Sequence, residues 1–209
     1  MKNELKKITD AELLPVVEDF FTLQGEGFHS GKAAYFIRLG GCDVGCSWCD
    51  SRFAWDPDLH PMVETQEIIK RVLFSGTDSV VVTGGEPLMW NLDNLCSGLK
   101  KNNISTFIET SGAYSLSGTW DWICLSPKKN MPPVGEICKV TDELKVIIEE
   151  ESDFIWAEKY RGLVNKKCLL FLQPEWSRFG KIVPEIVDYI KKNPSWRISL
   201  QIHKYMHIP

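Results

Sequence analysis

Residues 40–50 read GGCDVGCSWCD, and this stretch holds three of the chain's seven cysteines in the spacing C-x3-C-x2-C. Thiolates bind iron–sulfur clusters, zinc or copper, and the number and spacing of the ligands help to distinguish these metals. A structural zinc site commonly takes four protein ligands in two separated pairs, whereas these three cysteines lie close together without a second pair. Three thiolates on a four-iron cube leave one iron open, which suits a cluster that binds a substrate. We therefore predict that Cys42, Cys46 and Cys49 hold a [4Fe–4S] cluster. A zinc site completed by a distant ligand such as His60, or three unrelated cysteines, are the alternatives.

On both sides of this loop, short apolar runs that are typical of strands alternate with helical patterns. Such alternation predicts parallel βαβ units, and continuously apolar strands fit a parallel sheet. A complete eight-unit barrel normally needs about 250 residues, and the chain has 209. We therefore predict an α/β fold with a partial (β/α) barrel of about six parallel strands and fewer helices, formed by residues 1–209 as a single domain. The last strand is predicted over Arg197–His203.

Composition limits the classes of function. The formal net charge of −4 gives no general attraction to nucleic acid. The polar start of the chain lacks a signal-peptide pattern, and no run reaches the roughly 20 apolar residues of a membrane span. Cysteines in such a chain favour a reducing compartment, so we expect a cytoplasmic location without membrane or nucleic-acid partners. The scattered cysteines are interpreted as small core residues, namely Cys96, Cys124, Cys138 and Cys168.

A second motif, VVVTGGEP at residues 80–87, follows the cysteine loop after one predicted helix. Two glycines at the end of a strand allow a ligand to approach the backbone closely, although an ordinary turn would have the same sequence. Together the two motifs resemble the radical S-adenosylmethionine superfamily. This resemblance implies that the methionyl amine and carboxylate of S-adenosylmethionine occupy the open iron. An electron from the cluster then releases a 5′-deoxyadenosyl radical.

Further segments narrow the resemblance. They are TLQGEG at residues 22–27, Arg38, SPK at residues 126–128, Gln173-Pro174 and the ending QIHKYMHIP at residues 201–209. Each alone is more often structural than functional, but in this order they resemble the 7-carboxy-7-deazaguanine synthase family of the queuosine pathway, which supplies a tRNA modification. Residues 152–167 match nothing in that family.

The family resemblance implies a lyase reaction on a small pterin. In this reaction 6-carboxy-5,6,7,8-tetrahydropterin becomes 7-carboxy-7-deazaguanine and ammonia. The adenosyl radical removes the hydrogen at C6, the ring contracts, the hydrogen returns and S-adenosylmethionine is regenerated. The resemblance also implies Mg²⁺, which prefers oxygen ligands, a homodimer, and a flavodoxin- or ferredoxin-like electron donor.

Site residues follow from the resemblance position by position. Ser51, where many relatives have threonine, would bind Mg²⁺. Pro209 would contact the pterin through its carboxyl group, while proton-transfer roles for His203, Lys204 and Lys145 stay open. The S-adenosylmethionine site would comprise Trp48, Cys49, Asp50, Gly85, Glu86, Ser126, Pro127, Lys128 and Gln173. The pterin site would comprise Leu23, Gln24, Gly25, Arg38, Thr83, His203 and Pro209.

Two other classes of function remain. A small radical S-adenosylmethionine activase would share the cysteine loop but act on a protein partner. Such an activase has no use for the Gln24–Gly27 turn, for Arg38 or for an ordered apolar chain end. A non-catalytic iron–sulfur or zinc module is the second class. Spectroscopy of the reconstituted protein with and without S-adenosylmethionine distinguishes that module from the enzymes.

Overall fold

One sheet of nine strands runs through the protein in a computed structural model that describes residues 12–209. The polar chain start, on which the expected location partly rests, lies outside the described residues. The strands are β1 (Leu13–Leu23), β2 (Ala33–Leu39), β3 (Met62–Glu64), β4 (Ser79–Gly84), β5 (Ser105–Thr110), β6 (Trp122–Leu125), β7 (Glu143–Ile148), β8 (Leu169–Pro174) and β9 (Trp196–Ile198). Their spatial order is β3-β1-β2-β4-β5-β6-β7-β8-β9.

The sheet is mostly parallel, as the α/β expectation requires. Every pairing from β2 through β4 to β9 is parallel, whereas β1 pairs antiparallel with both β2 and β3. The predicted number of about six strands is therefore too low for this nine-stranded sheet. The antiparallel edge was missed because β3 has only three residues, too few to display an alternating pattern.

Among the described residues, five helices pack against one face of the sheet and leave the other face to the site. They are α1 (Thr65–Ser75), α2 (Asp93–Lys101), α3 (Ile137–Val140), α4 (Ser152–Arg161) and α5 (Phe179–Lys192). The short α6 (Ile202–Met206) lies on the side of the site instead. Strand side chains alternate between the faces. Ile37, Val82 and Ile108 therefore join the core beneath the helices, while Phe36 and Phe107 form a small cluster on the opposite face. Residues 152–167 contain α4, and within residues 12–209 no helix is long and apolar enough to cross a membrane.

The end of the chain corrects the predicted last strand. That strand covers only Trp196–Ile198, and His203 lies instead on the short helix α6. Ser199 N–H still donates to the Leu172 carbonyl of β8 at 2.9 Å, but the side chains of Ser199 and Gln201 make hydrogen bonds to the loop after β1. The tail is nevertheless packed, because Tyr205 makes ring contacts with Trp176.

A pair of isoleucines tests the core. Ile108 in β5 is 0% exposed and Ile155 in α4 is 77% exposed. Ile108→Ala should lower the free energy of unfolding by about 2–5 kcal/mol, because it leaves a cavity under the helices. Ile155→Ala, the control, should stay within about 0.5 kcal/mol of the parent. Urea titration of both variants measures this, and equal effects would contradict the described packing.

Candidate functional site

A cavity of about 360 Å³ opens at the carboxyl ends of the parallel strands. This volume lies in the range of small-molecule sites, and the carboxyl edge is where such sheets usually place them. The structure brings all the predicted site residues to its lining except Pro127. Pro127 is buried, and its carbonyl oxygen accepts a hydrogen bond from Trp156 Nε1 instead.

The cysteine loop follows β2 and forms one wall of this cavity. Cys42, Cys46 and Cys49 all contribute to the lining, whereas His60 does not. His60 Nε2 lies 2.9 Å from the carbonyl oxygen of Phe53, so the geometry gives no support to His60 as a fourth zinc ligand. On the outer side of the loop, Tyr114 donates a hydrogen bond to the Asp43 carboxylate.

The donor set fits an iron–sulfur cluster. Within residues 12–209, no group of three His, Cys, Asp or Glu side chains is close enough to hold a metal ion. The three thiols nevertheless line the same cavity, and three thiolates are the protein ligands of a four-iron cube with one open iron. Burial raises the pKa of Cys42 to about 11, and bound iron would favour its thiolate. Trp55 Nε1 lies 3.4 Å from Cys49 Sγ, where it can donate to a ligand sulfur.

The glycine motif after β4 lies against the cysteine loop. Gly85 N–H donates to the Leu39 carbonyl at 2.9 Å, and Glu86 N–H donates to the Gly41 carbonyl at 2.7 Å. A side chain on Gly85 would overlap Gly41 and Cys42. This position therefore needs glycine to keep the motif in contact with the loop, as close approach requires.

The Glu86 carboxylate is directed into the protein rather than offered freely to a ligand. It is 1% exposed. One oxygen accepts from Thr110 Oγ1 at 2.5 Å and Leu88 N–H at 3.0 Å, and the other accepts from the N–H and hydroxyl of Ser111. Because both oxygens bind donors of the protein, Glu86 fixes the end of β4 to the end of β5. The carbonyl groups of the glycine turn remain as acceptors for an ammonium group.

Another part of the lining carries a partly buried lysine, Lys128. Lys128 Nζ donates to the carbonyl and hydroxyl oxygens of Ser126 at 2.9 and 2.5 Å, and it lies 5.4 Å from the centre of the Trp48 ring. Burial lowers the pKa of Lys128. Both Ser126 and Gln173 are buried at the lining. These polar groups surround the space next to the thiols.

Arg38 occupies the other half of the cavity. The register pairs Arg38 in β2 with Thr83 in β4, which places both polar side chains side by side on the cavity face. Arg38 Nε donates to a Glu18 oxygen at 2.7 Å, and Arg38 Nη1 lies 3.5 Å from Ser51 Oγ. One side of the guanidinium therefore already pairs with Glu18, and Nη1 is directed towards the hydroxyl.

A charged network that the sequence reasoning largely missed lies beside Arg38. Lys145 Nζ pairs with the Glu26 carboxylate and, at 3.2 Å, with Glu109, whose other oxygen accepts from Gln24 Nε2 at 2.8 Å. Burial by itself would lower the pKa of Lys145, but these carboxylates outweigh it and raise that pKa. The available signal was polar residues interrupting apolar strands, as Glu109 does directly after Phe107-Ile108.

The last residues close this half of the cavity. Ile202 N–H donates to the Gly25 carbonyl at 2.9 Å, and Gln201 Nε2 donates to Glu26 at 2.9 Å. Lys204 pairs with Asp50 at 2.9 Å, which joins the tail to the cysteine loop. Burial lowers the pKa of His203, and both His203 and Pro209 belong to the lining.

The chain is similar to known proteins over nearly its whole length. A family model described as the Radical SAM superfamily matches residues 36–123. A 7-carboxy-7-deazaguanine synthase of Flavobacterium psychrophilum is 52% identical over 97% of this chain and 96% of the relative. One of Synechocystis is 44% identical over 93% of each chain. A crystal structure of QueE from Escherichia coli has a TM-score of 0.82 at 28% identity, covering 96% of this chain and 98% of that one.

The cysteine loop generates a direct test. Cys42→Ala, Cys46→Ala and Cys49→Ala should each prevent a stable four-iron cluster, because each removes one of only three cavity thiols of the described residues. Cys96→Ala and Cys168→Ala are the controls, since both cysteines are buried away from the cavity. Iron and sulfide analysis after anaerobic reconstitution measures the outcome. Iron loss in a control variant with a normal Cys42→Ala protein would overturn the assignment.

Proposed function

The chain belongs to the 7-carboxy-7-deazaguanine synthase family of radical S-adenosylmethionine enzymes, and we infer its reaction from that membership and from its site. It contracts the ring of 6-carboxy-5,6,7,8-tetrahydropterin, giving 7-carboxy-7-deazaguanine and ammonia in queuosine biosynthesis. The observation that carries this inference is that one cavity has three thiols and a glycine turn at one end and several paired charges at the other end.

The cofactors belong at the cysteine end. When bound, the cluster and S-adenosylmethionine supply an adenosyl radical that is regenerated as S-adenosylmethionine. Cys42, Cys46 and Cys49 would hold the cluster, and the carbonyl groups of the Gly84-Gly85 turn would accept hydrogen bonds from the methionyl amine. Contacts to the rest of S-adenosylmethionine would come from Trp48, Asp50, Ser126, Lys128 and Gln173, with Glu86 acting through the turn it braces and Pro127 through the backbone of its segment.

The pterin belongs at the charged end. Arg38 would pair with the substrate carboxylate, because a guanidinium offers parallel donors to such a group. The remaining contacts proposed for the pterin come from Leu23, Gln24, Gly25, Thr83, His203 and Pro209, all of which line this end. The C-terminal segment holds water away from the pterin by packing across Gly25.

Two ionisable groups at the pterin end, Lys145 and His203, have different roles. Lys145 keeps its proton beside Glu26 and Glu109, because their carboxylates raise its pKa. It therefore contributes a fixed positive charge to pterin binding. His203 has a pKa lowered by burial, so its neutral imidazole is able to take part in proton transfer at the pterin. Lys204, paired with Asp50, holds the helix that carries His203.

Finer features of the enzyme are proposals that rest on the resemblance. Ser51 would offer its hydroxyl to Mg²⁺ beside the substrate carboxylate. The protein would act as a homodimer, supported by the exposed Leu13 and Met62 at the open sheet edge. Light scattering tests this association. A flavodoxin- or ferredoxin-like donor would reduce the cluster, and residues 1–209 would act as one cytoplasmic domain.

The reaction itself can be assayed directly. Reconstituted and reduced protein should convert the pterin to the deazapurine with many turnovers per S-adenosylmethionine consumed, because the hydrogen returns to the cofactor. Liquid chromatography of the deazapurine, ammonia and 5′-deoxyadenosine follows the balance, with Cys46→Ala as the control. Stoichiometric 5′-deoxyadenosine without any deazapurine would reject the proposal.

Arg38 provides a test of the pterin end. Arg38→Ala should cost about 2–5 kcal/mol in transition-state binding, because a desolvated carboxylate loses its partner. Arg38→Lys should recover only part of this, since the parallel donors are lost. Measured kcat/KM for the pterin gives both values.

The matched control for Arg38 is Arg71 of α1, which pairs with Asp19 of β1 at 2.8 Å but lies outside the cavity. Arg71→Ala should leave kcat/KM near the parent value. Near-normal efficiency of Arg38→Ala, or an equal loss in both variants, would rule out the anchoring role.

Ser51 provides the test of the magnesium proposal. Ser51→Ala should weaken the stimulation of turnover by Mg²⁺ without abolishing it, because water replaces one neutral oxygen ligand. Ser47→Ala is the control, since Ser47 lies in the same loop but does not line the cavity. Activity titrations with Mg²⁺, alongside the visible spectrum of the cluster, compare the variants. Superimposable titration curves for Ser51→Ala and the parent would count against this site.

A further inference from the structure

The loop between β1 and β2 forms part of the pterin end, and its backbone is bound by side chains that lie behind it. Gln24, Gly25 and Glu26 line the cavity, and the next two residues turn away from it. The base of the loop is closed by Gln24 N–H to the Lys32 carbonyl at 2.8 Å. On the side of the loop that faces away from the cavity, backbone N–H groups donate to acceptors from distant parts of the chain.

Glu143 at the start of β7 is the first of these acceptors. Its side chain is buried, and one oxygen accepts Phe28 N–H at 3.1 Å and Trp122 Nε1–H at 3.2 Å. The rings of Phe28 and Trp122 also stack with centroids 5.1 Å apart. One carboxylate oxygen therefore fixes both the loop backbone and the ring on which the loop packs.

Gly27 fits this arrangement because it has no side chain. Its φ is +64°, and a Cβ atom there would overlap the Glu143 carboxylate. The contact thus requires glycine for its backbone conformation and for its space. A residue with a side chain would push the loop off Glu143 and towards the cavity.

Ser199, just after β9, is the second acceptor. Its buried hydroxyl accepts Gly27 N–H at 2.9 Å and donates to Gln173 Oε1 at 2.8 Å. Two successive amide groups of the loop are therefore bound by side chains from two separate elements. Together Glu143 and Ser199 leave residues 24–26 little freedom to move relative to the sheet.

A carboxyl group is costly at the Glu143 position. Burial raises its pKa, and a buried carboxyl group persists only where hydrogen bonds compensate its desolvation. Glu158 offers a comparison elsewhere in the fold. Its carboxylate also accepts a tryptophan N–H, from Trp196 at 2.8 Å, together with the Tyr189 hydroxyl at 2.7 Å, but it lies outside the cavity.

We propose that Glu143 and Ser199 are positioning residues for the pterin, which act by fixing the backbone of Gly27 and Phe28 so that Gln24 and Gly25 meet the substrate. This rests on the proposed function, because it assigns the loop to the pterin end. Neither side chain needs to touch the pterin. Their effect is to keep the contact residues in place before the substrate arrives, which lowers the ordering cost of binding.

Variants of Glu143 test the proposal by kinetics. Glu143→Ala should raise KM for the pterin roughly tenfold or more, because loops misplaced by an ångström lose that order of efficiency. Iron content and KM for S-adenosylmethionine should remain near parent values. Glu143→Gln should rescue KM, since its amide oxygen still accepts both N–H groups.

Hydrogen exchange gives a readout that does not need turnover. Peptides covering residues 24–32 should exchange faster in Glu143→Ala and in Ser199→Ala, and at the parent rate in Glu143→Gln. Glu158→Ala is the matched control and should lower the melting temperature while leaving both the pterin KM and exchange in residues 24–32 unchanged.

The outcomes distinguish a failure of the positioning role from a failure of the proposed function. A folded Glu143→Ala protein with parent KM and parent exchange in residues 24–32 would overturn the positioning role. If that variant does not fold, the same criteria applied to Ser199→Ala decide. A parent enzyme that does not convert the pterin would overturn the proposed function instead, and the exchange data would still decide whether the two side chains hold the loop.

Discussion

The buried carboxylate of Glu86 is the constraint on which the cofactor end depends. A carboxylate that is 1% exposed is tolerated only when its oxygens are hydrogen bonded, and here Thr110 and Ser111 supply donors from the end of β5. The backbone N–H of Glu86 donates to the Gly41 carbonyl, one position before Cys42. The ends of β4 and β5 and the start of the cysteine loop are therefore fixed to one another by a single residue.

The pterin end is arranged by opposing charges rather than by apolar packing. Each basic group there has an acidic partner from another element of the fold. Lys145 of β7 meets Glu26 and Glu109, Arg38 of β2 meets Glu18, and Lys204 of the tail meets Asp50, as the pairs show. The Lys145 pairs are buried and keep charge in place at low dielectric, whereas Glu18 and Asp50 are exposed. A substrate that carries its own carboxylate therefore enters a site whose donors are already oriented.

Sequence reasoning worked where one local pattern controls the outcome. The mostly parallel sheet followed from the alternation of strands with helices. It failed at the edges, where β3 is too short for a pattern and the predicted last strand ends early at Ile198. Just after this strand the hydroxyl of Ser199 binds the distant Gly27, and no local rule reports such a partner.

The sequence by itself determined the closeness of the three thiols and the glycine turn. Their spacing is covalent, so three thiols within one short loop must lie near one another in any fold. Only the tertiary structure decided what Lys145, Glu86 and Glu143 do. Lys145 and Glu26 are 119 positions apart, and Glu143 and Phe28 are 115 apart. Contacts at that range depend on strand order and register, which arise when the sheet buries its apolar face and brings distant polar residues to the same edge.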